Sequence, residues 1–168
     1  SFYEGVMRVN IEEKLPLIDE SVFSLRKAVL FNETRLHPEI NYVLGRAYYH
    51  KGKYYLDLAV KYLEQSIAGG YEGKDTYEYL GLVYSELGNK EKSAENFEKA
   101  LQLNQSDMLY SLLAQIYIDL GSLDIAEEYL VRSNNITTNQ QTEEKNLFLL
   151  GQIYETGKDY IKAEECYQ

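Results

Sequence analysis

A Leu-Gly-x-x-Tyr string recurs along the chain, and its spacing constrains the fold more than any other feature. Full copies begin at residues 44, 80 and 150, and a fourth copy, beginning at residue 113, has Ala114 in place of the glycine. The small residues of successive copies are 36, 33 and 37 positions apart. A period of this length indicates units that cannot bury their apolar faces alone, so that neighbouring units must stack.

Each copy of the string is followed by a glycine near a predicted turn, at positions 52, 88, 121 and 157. A second apolar segment comes next, in which a small residue precedes a large one by four positions. Residues four apart lie on one face of a helix, so each unit is predicted to contain two helices. The chain has only two prolines, which also favours an all-α fold. The small–large pairs are Ala59/Leu63, Ser93/Phe97, Ala126/Leu130 and Ala163/Tyr167.

This pattern resembles the tetratricopeptide repeat (TPR), a helix–turn–helix unit of about 34 residues with the signature W-x₂-L-G-x₂-Y…A-x₃-F. The resemblance covers residues 38–168, and the best copy reads YEYLGLVYSELGNKEKSAENFEKALQLN. The signature Trp is absent throughout, with Tyr77 and Leu147 among the residues at its positions. Two extra residues in the turn of the first unit give it a spacing like that of a Sel1-like repeat. The resemblance implies an α-solenoid, a right-handed superhelix of stacked antiparallel helix pairs.

The repeat pattern also predicts how the chain is divided. Residues 1–37 are interpreted as a degenerate first repeat or as N-terminal capping helices. About four TPR-like units follow, at residues 38–73, 74–106, 107–140 and 141–168, the last of them truncated. Because the chain begins with Ser1 and ends inside a predicted helix, we expect it to be a fragment of a longer protein.

The charge of the chain excludes several kinds of partner. The net charge is −10, which argues against a nucleic-acid or anionic-membrane surface, since both need clustered Lys and Arg. No apolar run reaches the length of a membrane span, so no direct membrane insertion is predicted for this segment. Residues 1–74 are neutral overall, and residues 75–168 carry 17 acidic against 7 basic side chains. Two interpretations stay open: steering of a basic partner, or a solubilising surface.

The residues that usually carry chemistry are sparse. The only histidines are His37 and His50, and Cys166 is the only cysteine, without any metal-ligand spacing. No glycine-rich phosphate loop is present, and adjacent carboxylates such as Glu127 and Glu128 are expected to be solvated, because neighbours diverge around a helix. We therefore predict no enzyme activity, no cofactor and no metal site for this chain.

In TPR proteins, the face of each first helix that lies opposite the Leu-small-x-x-Tyr core lines a concave surface that holds a peptide or a partner's helix. The resemblance thus implies a set of partner-binding residues. Charged neighbours on the same faces are Asp75, Glu86, Asp119, Lys145 and Glu155. The predicted partner-binding residues are Tyr42, Arg46, Tyr49, His50, Glu78, Leu82, Ser85, Met108, Ser111, Gln115, Ile118, Phe148 and Gln152.

Some members of the TPR family clamp the C-terminal carboxylates of chaperones with Lys, Asn and Arg on these faces. Only one of the corresponding positions in this chain is cationic, and it stands where Asn would be needed, so we do not expect such a clamp. The residues at these positions are Tyr42, Arg46, Tyr79, Met108 and Leu112.

The resemblance predicts a non-catalytic protein–protein interaction module, which binds a peptide segment or helix of another protein and acts as a scaffold or assembly factor. A structural subunit of a multiprotein assembly, a secretion-type chaperone and the non-catalytic arm of a larger enzyme are the alternatives. Self-association through open ends of the array is a further candidate contact. The compartment is unknown: a cytoplasmic location is favoured, with a periplasmic or membrane-tethered one if a targeting segment precedes Ser1. The Tyr, Asn and Lys usage favours a bacterial source.

Overall fold

The computed structural model describes residues 15–27, 38–72 and 75–168, and the regular elements in those ranges are helices, with no strand. The prediction of an all-α chain is confirmed over these ranges. The interpretation of residues 1–37 lies largely outside the described residues, and the predicted bounds of the four TPR-like units stay predictions. The helices are α1 (residues 15–27), α2 (Pro38–Lys51), a 3-10 turn (Lys53–Tyr55), α3 (Leu56–Ala68), α4 (Thr76–Glu86), α5 (Lys90–Leu103), α6 (Asp107–Asp119), α7 (Leu123–Ile136), α8 (Gln140–Thr156) and α9 (Tyr160–Tyr167).

The chain divides into two compact units, residues 1–89 and residues 90–168, called here the N-terminal and C-terminal units. In the N-terminal unit, α2 packs on α3 and α3 packs on α4. Its core contains the first two Leu-Gly-x-x-Tyr strings, with Leu44, Tyr48, Leu80 and Tyr84 all buried. The repeated string is therefore a core pattern in this unit, as predicted.

In the C-terminal unit, each helix from α5 to α9 packs on the next along the chain. The small residues Ala114 and Ala126 are fully buried between α6 and α7, and Leu130, Leu150 and Ile153 complete the same core. Small side chains at these points allow the helix axes to approach closely, and the large ones fill the space beyond them.

The turns after the repeated string use a left-handed residue to end the first helix. Gly88 and Gly121 both have φ 77°, a conformation that glycine adopts without steric cost. In the last pair of helices the left-handed residue is Lys158, with φ 63°, and Gly157 has an ordinary helical φ of −76°. The turn glycine at position 157 is thus one residue away from the place that glycine holds in the two preceding turns.

Three tyrosines of the repeated string form hydrogen bonds between helices through their hydroxyl groups. The Tyr84 hydroxyl donates to Glu64 Oε1 at 2.7 Å, Tyr117 donates to Glu98 Oε1 at 2.6 Å, and Tyr154 donates to Glu127 Oε1 at 2.7 Å. In each case a first helix is bonded to the helix before it, so α4 is tied to α3, α6 to α5 and α8 to α7. The expectation that Glu127 is merely solvated is wrong, since this carboxylate accepts a partly buried hydrogen bond.

One of these tyrosines predicts how stability depends on pH. Burial, followed by the hydrogen bond to Glu98, raises the pKa of Tyr117 to about 12. The folded-state pKa lies above the ordinary value of 10.0, so this contribution to stability is present below pH 10 and is lost as the pH rises through about 12. In urea titrations, we expect the wild type to lose more unfolding free energy between pH 10 and 12 than Tyr117→Phe does.

The control for that experiment is Tyr54→Phe. The Tyr54 ring is 99% exposed, and its hydroxyl forms no hydrogen bond within the described part of the structure. Its removal should leave the pH profile as it is in the wild type. Parallel profiles for the wild type and Tyr117→Phe would contradict the raised pKa of Tyr117 in the folded state.

Candidate functional site

The N-terminal unit carries a row of stacked side chains across α2 and α4, called here the ring strip and formed by Tyr42, Arg46, Tyr79, Tyr49 and His50. Its centre is Arg46, whose guanidinium carbon lies 5.3 Å from the Tyr42 ring centroid and 4.9 Å from that of Tyr79. Arg46 Nη1 also donates to the Tyr42 hydroxyl at 2.9 Å. A guanidinium held between two rings is a cation–π arrangement that fixes a normally mobile side chain.

The far end of the ring strip is built from edge-to-face aromatic contacts. The Tyr49 and Tyr79 ring centroids are 5.5 Å apart at an interplanar angle of 71°. His50 Nε2 lies 3.2 Å from the Tyr79 hydroxyl, with the two rings nearly perpendicular. Tyr49 is half-buried, and burial followed by the nearby Glu86 carboxylate raises its pKa. The strip is thus an ordered, partly exposed aromatic surface with a carboxylate at this end.

Two more carboxylates lie at the near end of the ring strip, at the start of α4. Asp75 accepts a hydrogen bond from the Tyr42 hydroxyl, and burial together with that bond raises the pKa of Tyr42 to about 12. Asp75 Oδ2 also lies 4.0 Å from Arg46 Nη1. Glu78 is half-buried, and its burial, followed by repulsion from Asp75, raises its pKa. Arg46, the only cation among the described residues of the strip, therefore compensates the negative charge of Asp75, and the negative charge of Glu78 has no cationic partner there.

Two other predicted partner-binding residues follow Tyr79 on α4. Leu82 is half-buried, and Ser85 is exposed at the C-terminal end of the helix. The predicted residues on α2 and α4 are exposed or half-buried, and their role in binding a partner stays a prediction.

Sequence reasoning missed the role of Tyr79, which it considered only as a clamp position. Tyr79 is the residue that joins the strip, since it contacts Arg46, Tyr49 and His50. All three contacts come from α2, so spacing along α4 alone gives no sign of them. A Tyr beside Glu78 in an otherwise regular repeat is the only hint that the sequence offers.

The C-terminal unit presents a different surface on α6 and α8. Met108 is 51% exposed on α6, and Phe148 is 55% exposed on α8, where its ring centroid lies 6.1 Å from that of Tyr167. The Gln115 amide donates to Asp119 Oδ1 at 3.2 Å. Gln152 is exposed, whereas Ile118 is half-buried and packs against the core of the unit. This surface is apolar and amide-rich, whereas the ring strip is aromatic and acidic.

One predicted partner-binding residue does not lie on an accessible surface. Ser111 is only 5% exposed, and its hydroxyl donates to Asn146 Oδ1 at 2.7 Å and lies 3.1 Å from Ser133 Oγ. The assignment of Ser111 to the binding face is therefore corrected: it ties α6 to α7 and α8. Its position lies one residue after that of the signature Trp, and its polar side chain gave no indication that it is buried.

Within the described residues, no group of three or more His, Cys, Asp or Glu side chains is arranged to hold a metal ion. In the same part of the chain, no helix is both long and apolar enough to cross a membrane. Cys166 is half-buried, and its burial raises the pKa of the thiol, which disfavours the reactive thiolate.

Comparison with sequence families gives matches to two models described as tetratricopeptide repeat. One matches residues 75–107, and the other matches residues 109–139 and 144–168, so that together they cover more than half of the chain. No curated protein matches the chain significantly.

Solved structures similar to this chain are TPR proteins and related folds. A crystal structure of MamA has a TM-score of 0.77 at 18% identity, with 94% of this chain and 90% of that chain covered. YrrB, described as a TPR protein with an unusual peptide-binding site, has a TM-score of 0.76 at 18% identity, with 94% and 78% covered. A thermophilic TPR protein of Thermus thermophilus has a TM-score of 0.61 at 23% identity, with 83% and 76% covered. These similarities confirm the predicted α-solenoid fold class.

Proposed function

The chain belongs to the tetratricopeptide repeat family, and we propose that it is a non-catalytic scaffold that holds a segment of a partner protein against the first helices of its helix pairs. Members of this family and fold are in general protein-interaction modules, which supports the coarser statement that the chain binds other proteins. The finer proposal assigns binding to the α2/α4 face of the N-terminal unit and to the α6 and α8 surfaces of the C-terminal unit.

The observation that carries the proposal is the ordered ring strip. Aromatic rings and arginine are the side chains most enriched at energetically important positions of protein interfaces, and they contribute most where they are held rigidly. Arg46 is fixed between Tyr42 and Tyr79, so little side-chain entropy is left to lose on binding. Phe148 and Met108, both about half exposed, supply comparable apolar anchors in the C-terminal unit.

Selection from a displayed library of random dodecapeptides, followed by calorimetry with the winning peptides, tests the proposal. We expect Tyr49→Ala combined with Leu82→Ala to weaken binding about thirtyfold, since truncating hot-spot residues costs about 2 kcal/mol or more and 1.4 kcal/mol is tenfold in affinity. Both residues are half-buried, so circular dichroism of the variant should first establish that it is folded.

The matched control is Tyr54→Ala, which truncates a fully exposed tyrosine in the 3-10 turn, outside the ring strip. We expect it to leave affinity unchanged. If Tyr54→Ala loses binding and the Tyr49/Leu82 variant does not, the partner binds at the 3-10 turn and not at the ring strip. The same peptides measured with Met108→Ala and Phe148→Ala then identify which unit they use.

A structural subunit of a larger assembly is the second candidate, and one observation favours it. On α9, Ile161 is 75% exposed and Tyr160 is 66% exposed, so two neighbouring large apolar side chains are available for contact with another chain. Sedimentation of the wild type and of Ile161→Asp distinguishes the two functions. A change of oligomeric state in the variant would support assembly through this helix.

A further inference from the structure

We propose that the partner segment held by the ring strip carries a lysine or arginine on each side of a short apolar centre. The inference rests on the function proposed above and names the chemistry of the partner that this face accepts. It follows from the distribution of charge around the strip, from the spacing of its carboxylates and from the apolar side chains between them.

The positive charge of the strip, on Arg46, already interacts with groups of the protein itself. The Arg46 guanidinium lies over both tyrosine rings, donates to the Tyr42 hydroxyl and sits 4.0 Å from Asp75 Oδ2. Among the described residues of the strip it is the only permanent cation, and of the three carboxylates at the N-terminus of α4 and along it, only Asp75 pairs with it. One of the three, Asp75, is thereby compensated.

The other two carboxylates, Glu78 and Glu86, form no ion pair in the part of the chain that the structure describes. Glu78 is half-buried close to Asp75, so its negative charge is poorly solvated and is repelled by a like charge. Glu86 is exposed near Tyr49 at the opposite end of the strip. A cation from a partner would stabilise both, whereas an acidic segment would be repelled at both ends.

The spacing of these carboxylates sets a length for the partner motif. Glu78 and Glu86 are eight residues apart on α4, which is about 12 Å along the helix axis at 1.5 Å per residue. An extended segment rises about 3.3 Å per residue, so its two cations would stand about four positions apart. Leu82 lies four residues from each carboxylate and one helical turn after Tyr79, whose ring contacts that of Tyr49, so the residues between the cations meet an apolar surface.

The test uses the full chain and the dodecapeptide library described above. Peptides that depend on the ring strip should be enriched in Lys or Arg at two positions separated by about four residues, with apolar residues between them. Against a winning peptide, Glu78→Gln combined with Glu86→Gln should weaken binding about tenfold at low salt, and the difference should shrink as salt is added.

The matched control is Glu20→Gln combined with Asp57→Asn. It makes the same change in net charge at two exposed carboxylates on α1 and α3, and it should change affinity by less than twofold. Equal weakening in the control would attribute the effect to net charge and would overturn the inference.

The remaining outcomes separate this inference from the proposed function. If the selected peptides lose affinity in the Tyr49/Leu82 variant but show no basic enrichment, the inference is wrong and the binding face stands. If no selected peptide depends on the ring strip, the proposed face is wrong and the inference falls with it.

Discussion

Replacing Asn146 with alanine should lower the free energy of unfolding by about 3 kcal/mol, because it leaves several buried polar groups without partners. Asn146 is fully buried on α8, where its Oδ1 accepts from Ser111 Oγ at 2.7 Å. Its Nδ2 donates to Ser133 Oγ and to Asn134 Oδ1, both at 2.8 Å. One side chain thus bonds α8 to α6 and α7, and its loss cannot be compensated by water in a closed core.

Urea unfolding of the variant measures this effect, with Asn135→Ala as the matched control. Asn135 is exposed on α7, so its truncation should change stability by no more than about 0.5 kcal/mol. Adding Ser111→Ala to Asn146→Ala should cost less than the sum of the two single changes, since both remove the same bond. Strict additivity, with a small loss from Asn146→Ala, would contradict the idea that the network holds the three helices together.

The core of this fold could be predicted from the sequence because its requirements are local and periodic. A small residue is needed wherever two helix axes approach closely, and a large one is needed four residues away, so both recur with the period of the unit. Leu44, Tyr48, Leu80 and Tyr84 are buried for this reason. The resemblance to the TPR signature then supplied the fold class and the interaction role.

The details that sequence reasoning missed depend on contacts between helices. Ser111 is polar and lies near a predicted binding face, but its partners Ser133 and Asn146 come from two other helices, and together they form a buried network. Tyr79 has no signature position, and only the approach of α2 gives it contacts with Arg46 and Tyr49. Spacing along one helix indicates the face on which a residue lies, but it does not indicate which side chains of other helices contact that residue.

The net negative charge of residues 75–168 could be interpreted from the sequence either as steering of a basic partner or as a solubilising surface. Glu98 and Glu127 accept hydrogen bonds from Tyr117 and Tyr154, so part of this charge serves the packing of one helix on the next. In the N-terminal unit, Asp75 is likewise engaged by Tyr42 and Arg46. A net charge counted along the sequence therefore overstates what is available to a partner, and the uncompensated carboxylates must be identified one by one.

Replacing Gly45 with leucine should destabilise the N-terminal unit by at least about 3 kcal/mol, which is the upper end of the usual cost of overpacking. A Cβ added at Gly45 would lie 2.5 Å from Leu63 Cγ and 3.0 Å from the Leu63 backbone nitrogen. Leu63 is fully buried on α3, so neither its side chain nor its backbone can move without separating α3 from α2. Gly45→Ala should be milder, because the helix propensity of alanine offsets the clash by about 1 kcal/mol.

The control for the change at Gly45 is Gly157→Leu. The nearest atoms to a Cβ at Gly157 are at 3.6 Å, an ordinary contact, and its φ of −76° suits any residue, so thermal unfolding should hardly change. The same comparison bears on function, since Arg46 follows Gly45 directly and Tyr49 lies one turn further along α2. If α2 is lifted from α3, the ring strip loses its alignment with α4, and binding should fall together with stability. A Gly45→Leu protein that melts like the wild type would show that α2 does not seat on α3 through this glycine, and the placement of the ring strip would then have to be abandoned.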